Sequence, residues 1–290
     1  RSLAALSWKD IALGLQDDAN LSKSQSKALR RQVRDQAGLL RDMQRWVEFT
    51  IMTQAPNART STWRDVTLLA NPASRQLGKE WITKQMYHNT DRMFHQHGFG
   101  HPDHVYFTHE ILFTDAGLEF VLCRQFTSVR SIDELVRLNR DNLCNVLLVN
   151  LLQVPETPTV DASGHVTQHQ MVSIHGDYVN LVCGEFWNDT RDRCVLAIQQ
   201  IHHDELWDAT QFRNRTIWLD IRQRGNGAEG CTARLLSLAS QSHLAGGRSL
   251  SVDAEARNWG LDLTACPPAQ KEALFRRFAT DFLDTLLRRL

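Results

Sequence analysis

A charged side chain on an apolar strand face must be paired or must serve a ligand, because an uncompensated buried charge is costly. In residues 118–126 the even positions are Leu118, Phe120, Leu122, Arg124 and Phe126, so a strand there sets one guanidinium on an otherwise apolar face. The same spacing places Glu185 among Val179, Leu181, Cys183 and Trp187, and His109 among Val105, Phe107, Ile111 and Phe113. If these faces line a tunnel, the three polar groups orient the head of a ligand, since pockets are mostly apolar with a few placed polar contacts. The other reading is a buried Arg–Glu pair that serves structure alone. As an acid–base set for an enzyme, the three would have to converge within hydrogen-bond reach.

Other groups carry less. His95, His97, His101, His104 and His109 form a dense stretch, but Gly98, Gly100 and Pro102 interrupt it, and a solvated loop is the expectation rather than a metal site. His202 and His203 are adjacent on a strand and point to opposite faces. The string 202–206 of histidine, histidine, aspartate, glutamate and leucine contains an internal retention-signal look-alike, which is read only at a C-terminus. Residues 225–230 match GxGxxG after a strand. A P-loop would need lysine where Cys231 stands, and a dinucleotide site would need a βαβ unit, so a glycine-rich hairpin turn is expected. Neither a nucleophile elbow nor a zinc-binding HExxH helix occurs. No catalytic residue, metal or cofactor is therefore assigned.

The elements that must position the candidates follow from periodicity. Residues 21–54 repeat apolar positions at three- and four-residue steps, with Val33, Leu40 and Val47 at one heptad position and Leu29, Gln36, Met43 and Thr50 at the other. This amphipathic helix could form a homodimeric coiled coil or pack on the neighbouring domain. Residues 56–62 read as a linker, which divides the chain into a helical segment at 1–60 and a second domain at 61–290. Asn71-Pro72 opens a helix that Gly98 stops. Strands are predicted at 105–113 and 118–126 as a hairpin, then at 165–173, 177–187, 193–203, 215–223 and 230–239. Residues 155–164 are predicted as a loop. Ser131 with Glu134 makes a capping box for a helix running to about residue 148. Short connections make the sheet antiparallel.

Pro267-Pro268 begins the last helix, in which Leu274, Phe278, Phe282, Leu286 and Leu290 recur every four residues with Phe275, Ala279, Leu283 and Leu287 alongside. So broad a stripe must cover an apolar surface, and the sheet is the available partner.

Composition fits a folded chain. Of 290 residues, 42% are hydrophobic and 23% charged, and 33 basic residues balance 33 acidic ones, so no global field steers the chain to nucleic acid. No apolar run is long enough to span a membrane. Six cysteines without a CxxC pair suggest a reducing, intracellular setting, cytoplasmic or nuclear, with Cys123, Cys183, Cys194 and Cys231 buried in strands.

Helices, hairpin, helix, meander and closing helix together resemble the START-like helix-grip fold over residues 63–290, an α+β fold whose curved antiparallel sheet wraps the long last helix around a tunnel. Residues 62–72 (TWRDVTLLANP), 199–205 (QQIHHDE) and 253–263 (DAEARNWGLDL) are similar to a family of oomycete proteins labelled mating-specific, which join an N-terminal helical region to such a domain. START-like domains as a class bind lipids or other apolar molecules, and the leading expectation is a noncatalytic module that binds a lipid or other hydrophobic small molecule, with Arg124, Glu185, His109, Phe120, Leu122, Phe278 and Phe282, taken from the strand faces and the last helix, as the ligand-binding set. Two other readings stay open: an adaptor that self-associates through its N-terminal helix, and an enzyme using the same cavity.

Overall fold

Repeated apolar positions without an internal proline give one continuous helix at the start of the chain, α1 (Trp8–Met52). It begins about four turns earlier than its periodicity suggests, because Gly14 and the polar residues around it cost helix stability without breaking it. The computed structural model describes residues 7–52, 66–100, 105–114, 117–146, 159–173, 175–225, 230–245 and 248–287. The expected linker at 56–62 lies outside them. Contacts divide the chain into Arg1–Met52 and Thr53–Leu290.

In the second unit the elements run β1 (Thr67–Leu68), α2 (Pro72–Gln96), β2 (Tyr106–Thr114), β3 (Gly117–Ser128), α3 (Ile132–Asp141), α4 (Leu143–Val146), β4 (Thr159–Ser163), β5 (Val166–Val172), β6 (Tyr178–Trp187), β7 (Arg193–Gln200), β8 (His203–Asp204), β9 (Gln211–Gln223), β10 (Cys231–Leu244), α5 (Val252–Asn258) and α6 (Pro268–Leu287). Eight strands form one sheet in the order β2-β3-β10-β9-β7-β6-β5-β4. Every neighbouring pair in that order is antiparallel, with one extra parallel pairing of Tyr178 with Phe212. β1 and β8 form a small separate parallel pair that periodicity did not suggest.

Local signals explain the element ends. Asn71 caps α2 by accepting from the Ala73 and Ser74 amides, and Pro72 starts it with its φ already helical. Ser131 and Glu134 close the predicted capping box on α3. That helix breaks at Asn142, short of residue 148, and a four-residue turn follows. The predicted loop at 155–164 is corrected over Thr159–Ser163, which is an edge strand paired with β5. Its polar residues, ordinary at a sheet edge, hide any alternation. The GxGxxG segment joins antiparallel β9 and β10. Residues 226–229 lie outside the described set, but Gly230 at φ +87° would place a Cβ 2.0 Å from the Ser128 carbonyl oxygen, so the position demands glycine for backbone reasons.

Both faces of the sheet are covered. On the outer face α2 lays Met86, Met93 and Phe94 against Cys123, Ala197, Trp218 and Leu236. Trp218 donates its indole N–H to the Met86 carbonyl at 3.0 Å. Gly184 permits this approach, since a Cβ there would stand 2.5 Å from Thr83 Cβ. Asp220, fully buried on the same face, is held by Arg193, Arg222 and Arg234, and Arg193 continues to Asp91 of α2 at 2.7 Å. On the inner face α3 and α4 cover Leu181, Cys183, Leu196, Ile198, Ile217, Leu219 and their neighbours. α6 and α5 cover Ile111 and Leu118.

Two of the sequence stretches singled out above meet in one lock. Asp204 of β8 accepts from Arg75 of α2 at 2.7 and 2.6 Å, from Asn180 at 2.8 Å and from the Leu206 amide at 3.0 Å. Val66 donates to His202 Nδ1 at 2.9 Å, and the Ala70 amide donates to Glu205 at 2.7 Å. The lock thus ties the entry of the domain to α2 and the middle of the sheet. Burial pushes the His202 imidazole down to about 3, so it is the neutral ring that accepts from Val66.

Candidate functional site

Strand register sorts the inner face into rows. One row runs Phe107, Arg124, Leu235, Leu219, Leu196, Glu185 across β2, β3, β10, β9, β7 and β6. The next holds His109, Leu122, Ser237, Ile217, Ile198 and Cys183, and a third begins Ile111, Phe120, Ala239 and Arg215. The predicted polar groups therefore share the face that the alternation assigned to them. They do not share a centre. Arg124 and Glu185 are four strand spacings apart along one row, about 19 Å at the usual inter-strand distance, with three leucines between them.

Each has its own surroundings. Arg124 is half-buried with its guanidinium 4.7 Å from the centre of the Phe126 ring, and burial lowers its pKa. Among the described residues it has no carboxylate partner. Glu185 pairs with Arg140 of α3 at 2.7 Å and accepts from the Trp187 indole at 2.6 Å. Glu185 thus does find an arginine, but it is Arg140 in place of Arg124, and with the Arg140 side chain 37% exposed the pair is half-buried rather than the buried pair anticipated as the structural alternative. His109, diagonal to Arg124 on the neighbouring strand, has Nδ1 3.8 Å from Asp284 of α6, and its Nε2 is buried without a partner among the described residues. Of the rest of the histidine stretch, His95 and His97 close α2, while His101 and His104 lie outside the described residues.

The apolar members divide between two clusters. Leu122 belongs to the main core under α3. Phe120 stacks on Trp259 at 5.3 Å, Trp259 meets Phe282 edge-on at 5.7 Å and Phe275 at 6.1 Å, and Phe282 stacks on Phe278 at 6.4 Å. The buried seam of α6 is Phe275, Ala279 and Leu283, narrower than the stripe in the sequence, and Leu274 remains 42% exposed. Phe120, Trp259, Phe278 and Phe282 are only half-buried although they sit where the helix meets the sheet.

Sequence reasoning missed three charged groups on this face: beginning β9 at residue 215 cut off Arg213, leaving 252–258 unassigned hid Glu255, and Arg215, the first residue of the predicted strand, was not followed onto the inward face. β9 starts at Gln211, so Arg213 and Arg215 alternate inward with Ile217, Leu219 and Ile221. Arg213 is buried and pairs with Glu255 of α5 at 2.7 Å, donates to the Ser240 carbonyl at 3.0 Å and to Ser242 at 3.2 Å, and stands 4.0 Å from Asp177. Glu255 also accepts from the Trp259 indole at 3.0 Å and the Ser242 amide at 3.2 Å. The third quoted stretch, 253–263, thus anchors α5 to the sheet through Glu255 and Trp259. Arg215 is equally buried but far less engaged: it reaches Gln200 at 3.3 Å and the Arg213 carbonyl at 3.4 Å, both through Nη1. A period-two count extended back from Ile217 would have found both arginines.

The cysteines are free thiols, five buried and Cys266 partly exposed. Burial raises Cys123 and Cys144 to about 11 and Cys183 to about 12, and raises Cys194 as well, so these groups stay protonated and unreactive at neutral pH.

No family model and no curated relative matches the chain. Among solved structures it is similar to human STARD10, at 10% identity with 69% of this chain and 83% of that chain covered and a TM-score of 0.33. It is also similar to the human StarD13 (DLC2) lipid transfer and protein localization domain, at 14% identity, 66% and 96% coverage and a TM-score of 0.30. A third likeness is to protein Ms6760 from Mycobacterium smegmatis, at 12% identity, 63% and 99% coverage and a TM-score of 0.27. At these scores they add no argument to the α+β architecture read from the chain itself.

Proposed function

We propose that residues 66–287 form a noncatalytic module that holds a lipid or other hydrophobic small molecule on the inner face of the sheet, beneath α3 and α6. The observation that carries this reading is the set of half-buried aromatic rings of Phe120, Trp259, Phe278 and Phe282 where helix and sheet meet. Large apolar side chains left half-covered inside a fold favour an apolar guest. The separation of Arg124 from Glu185 speaks against a shared acid–base centre built from the predicted set. The family likeness to oomycete mating-specific proteins and an intracellular location belong to the same proposal. The test is native mass spectrometry of the purified chain followed by solvent extraction. A stoichiometric apolar molecule supports the reading. A protein that is empty and takes up no fluorescent acyl chain from vesicles refutes it.

A second reading concerns α1. Leu15, Leu29, Val33 and Leu40 are each 60% exposed or more. Such a stripe favours pairing with a second copy through the heptad positions, at the cost of polar Gln36 in the seam. Light scattering of the full chain against Val33→Glu/Leu40→Glu tests it: a dimer that the double substitution makes monomeric supports pairing, and a monomeric parent chain ends it.

A further inference from the structure

The two inward arginines of β9 sit two residues apart on one face and are treated very differently. Arg213 has a carboxylate at 2.7 Å and a second at 4.0 Å. Arg215, 6% exposed, has no carboxylate within ion-pair distance among the described residues. Its two contacts are long, run through Nη1, and go to uncharged oxygens. No hydrogen bond from the described residues reaches its Nε or Nη2, which together form the side-on fork that matches the two oxygens of a carboxylate. Burial and the neighbouring Arg213 pull its pKa down only to about 10, so it carries a full charge at neutral pH. Of the nearby carboxylates, Glu255 is committed to Arg213, the Ser242 amide and Trp259, while Asp177 accepts from the Gln211 side-chain amide through Oδ1 at 2.9 Å and keeps Oδ2, 4.0 Å from Arg213, without a hydrogen bond among the described residues. Those two acids balance the two arginines in number, but neither fills the fork.

The neighbours of Arg215 fit a guest. Small Ala239 stands beside it on β10, and the next residue along that row is Phe120 of the half-buried aromatic cluster. Arg213 lies over the Phe120 ring at 5.7 Å, so a chain lying along Phe120 and Trp259 would pass the paired Arg213 before its polar end reaches the Arg215 guanidinium beyond Ala239.

We infer that Arg215 binds the head group of the guest, and that the guest is an amphiphile ending in a single carboxylate. A dianionic head would leave the buried cluster two charges in excess, whereas one carboxylate fills the fork for a single excess charge. This inference rests on the hydrophobic-ligand reading above and narrows it.

The test is a competition on the full, delipidated chain by native mass spectrometry, using a C16 carboxylic acid, its methyl ester and the corresponding alcohol at equal concentrations. The expected result is at least tenfold preference for the acid over ester and alcohol. Arg215→Met should abolish that preference while leaving alcohol binding within twofold. Arg215→Lys, which keeps the charge and loses the fork, should retain only part of it, and serves as the variant of record should Arg215→Met fail to fold. Equal binding of all three molecules by the parent chain overturns the carboxylate assignment and leaves the apolar site standing. Retained preference in Arg215→Met overturns the role of Arg215. Binding of none of the three overturns both this inference and the reading it rests on.

Discussion

Replacing Asp204 with alanine isolates the energetics of the lock between β8, α2 and the sheet. The carboxylate is 6% exposed and accepts from both arms of Arg75, from Asn180 and from the Leu206 amide. Arg75 is itself only 11% exposed at its side chain, so its charge cannot simply return to water once the partner is gone. Breaking a buried pair by removing one partner costs about 3–5 kcal/mol, mainly because the other charge is stranded. In a domain of this size each kcal/mol is worth about 2–4 °C, so the melting temperature should fall by on the order of 10 °C. A double-mutant cycle with Arg75→Met should show the pair of substitutions costing at least about 1 kcal/mol less than the sum of the singles. The pH dependence carries a sign. Burial alone would raise the Asp204 carboxyl, but hydrogen bonds from Arg75, Asn180 and the Leu206 amide outweigh it and hold the pKa below its ordinary value. A group depressed in the folded state contributes stability above its unfolded pKa, near 4, and loses that contribution as pH falls through the folded value. The gap between parent and variant should therefore begin to narrow as pH falls through about 4 and close only once the pH is below the depressed folded value. Denaturant titrations at pH 7 and pH 3 read all of this. A loss under about 1 kcal/mol at pH 7, or an additive cycle, would refute the assignment of the lock.

Three further expectations are simpler. Glu255→Gln strands Arg213 in the interior and loosens α5, and should cost about 3–5 kcal/mol by chemical denaturation; a loss under about 1 kcal/mol would mean that Asp177 carries the pair alone. Gly230→Ala, with its Cβ against the Ser128 carbonyl and φ positive, should lower stability by at least about 2 kcal/mol, and a neutral result would show that the β9–β10 turn can rearrange. In the native protein one thiol, Cys266, should react rapidly with a maleimide at pH 7.5, and all six should react after unfolding. Rapid labelling of several cysteines in native buffer would contradict the buried core.

Much of the architecture was legible because its signals are local. The capping box at Ser131, the Asn71-Pro72 start of α2 and the alternation in β3, β6 and β7 each depend on a few neighbouring residues. Alternation also put Arg124, Glu185 and His109 on the correct face. It could not say which of them meet, because partners across a sheet are set by strand order: only β10, β9 and β7 lying between β3 and β6 separates Arg124 from Glu185. Thr159–Ser163 was hidden by edge polarity, and α5 by its seven-residue length. Arg213 was lost because the residues before 215 were read as lying outside the strand, and Arg215, at the strand's predicted first position, was not traced onto the inward face by counting back from Ile217.

Because α2 clamps the sheet from outside through Trp218, Thr83 against Gly184 and the Asp91–Arg193–Asp220 chain, the strands behind the inner face form a braced wall. A wall gripped on its far side cannot bow outward to admit a guest. A guest held as proposed would have to pass on the near side, where α6 is held by the narrow Phe275–Ala279–Leu283 seam, by the Lys271–Asp253 bridge to α5 and by Asp284 beside His109. Amide exchange should accordingly be slowest in β7 and β9 and faster toward the end of α6, the behaviour of a door hung on a rigid frame if the proposed guest is held there.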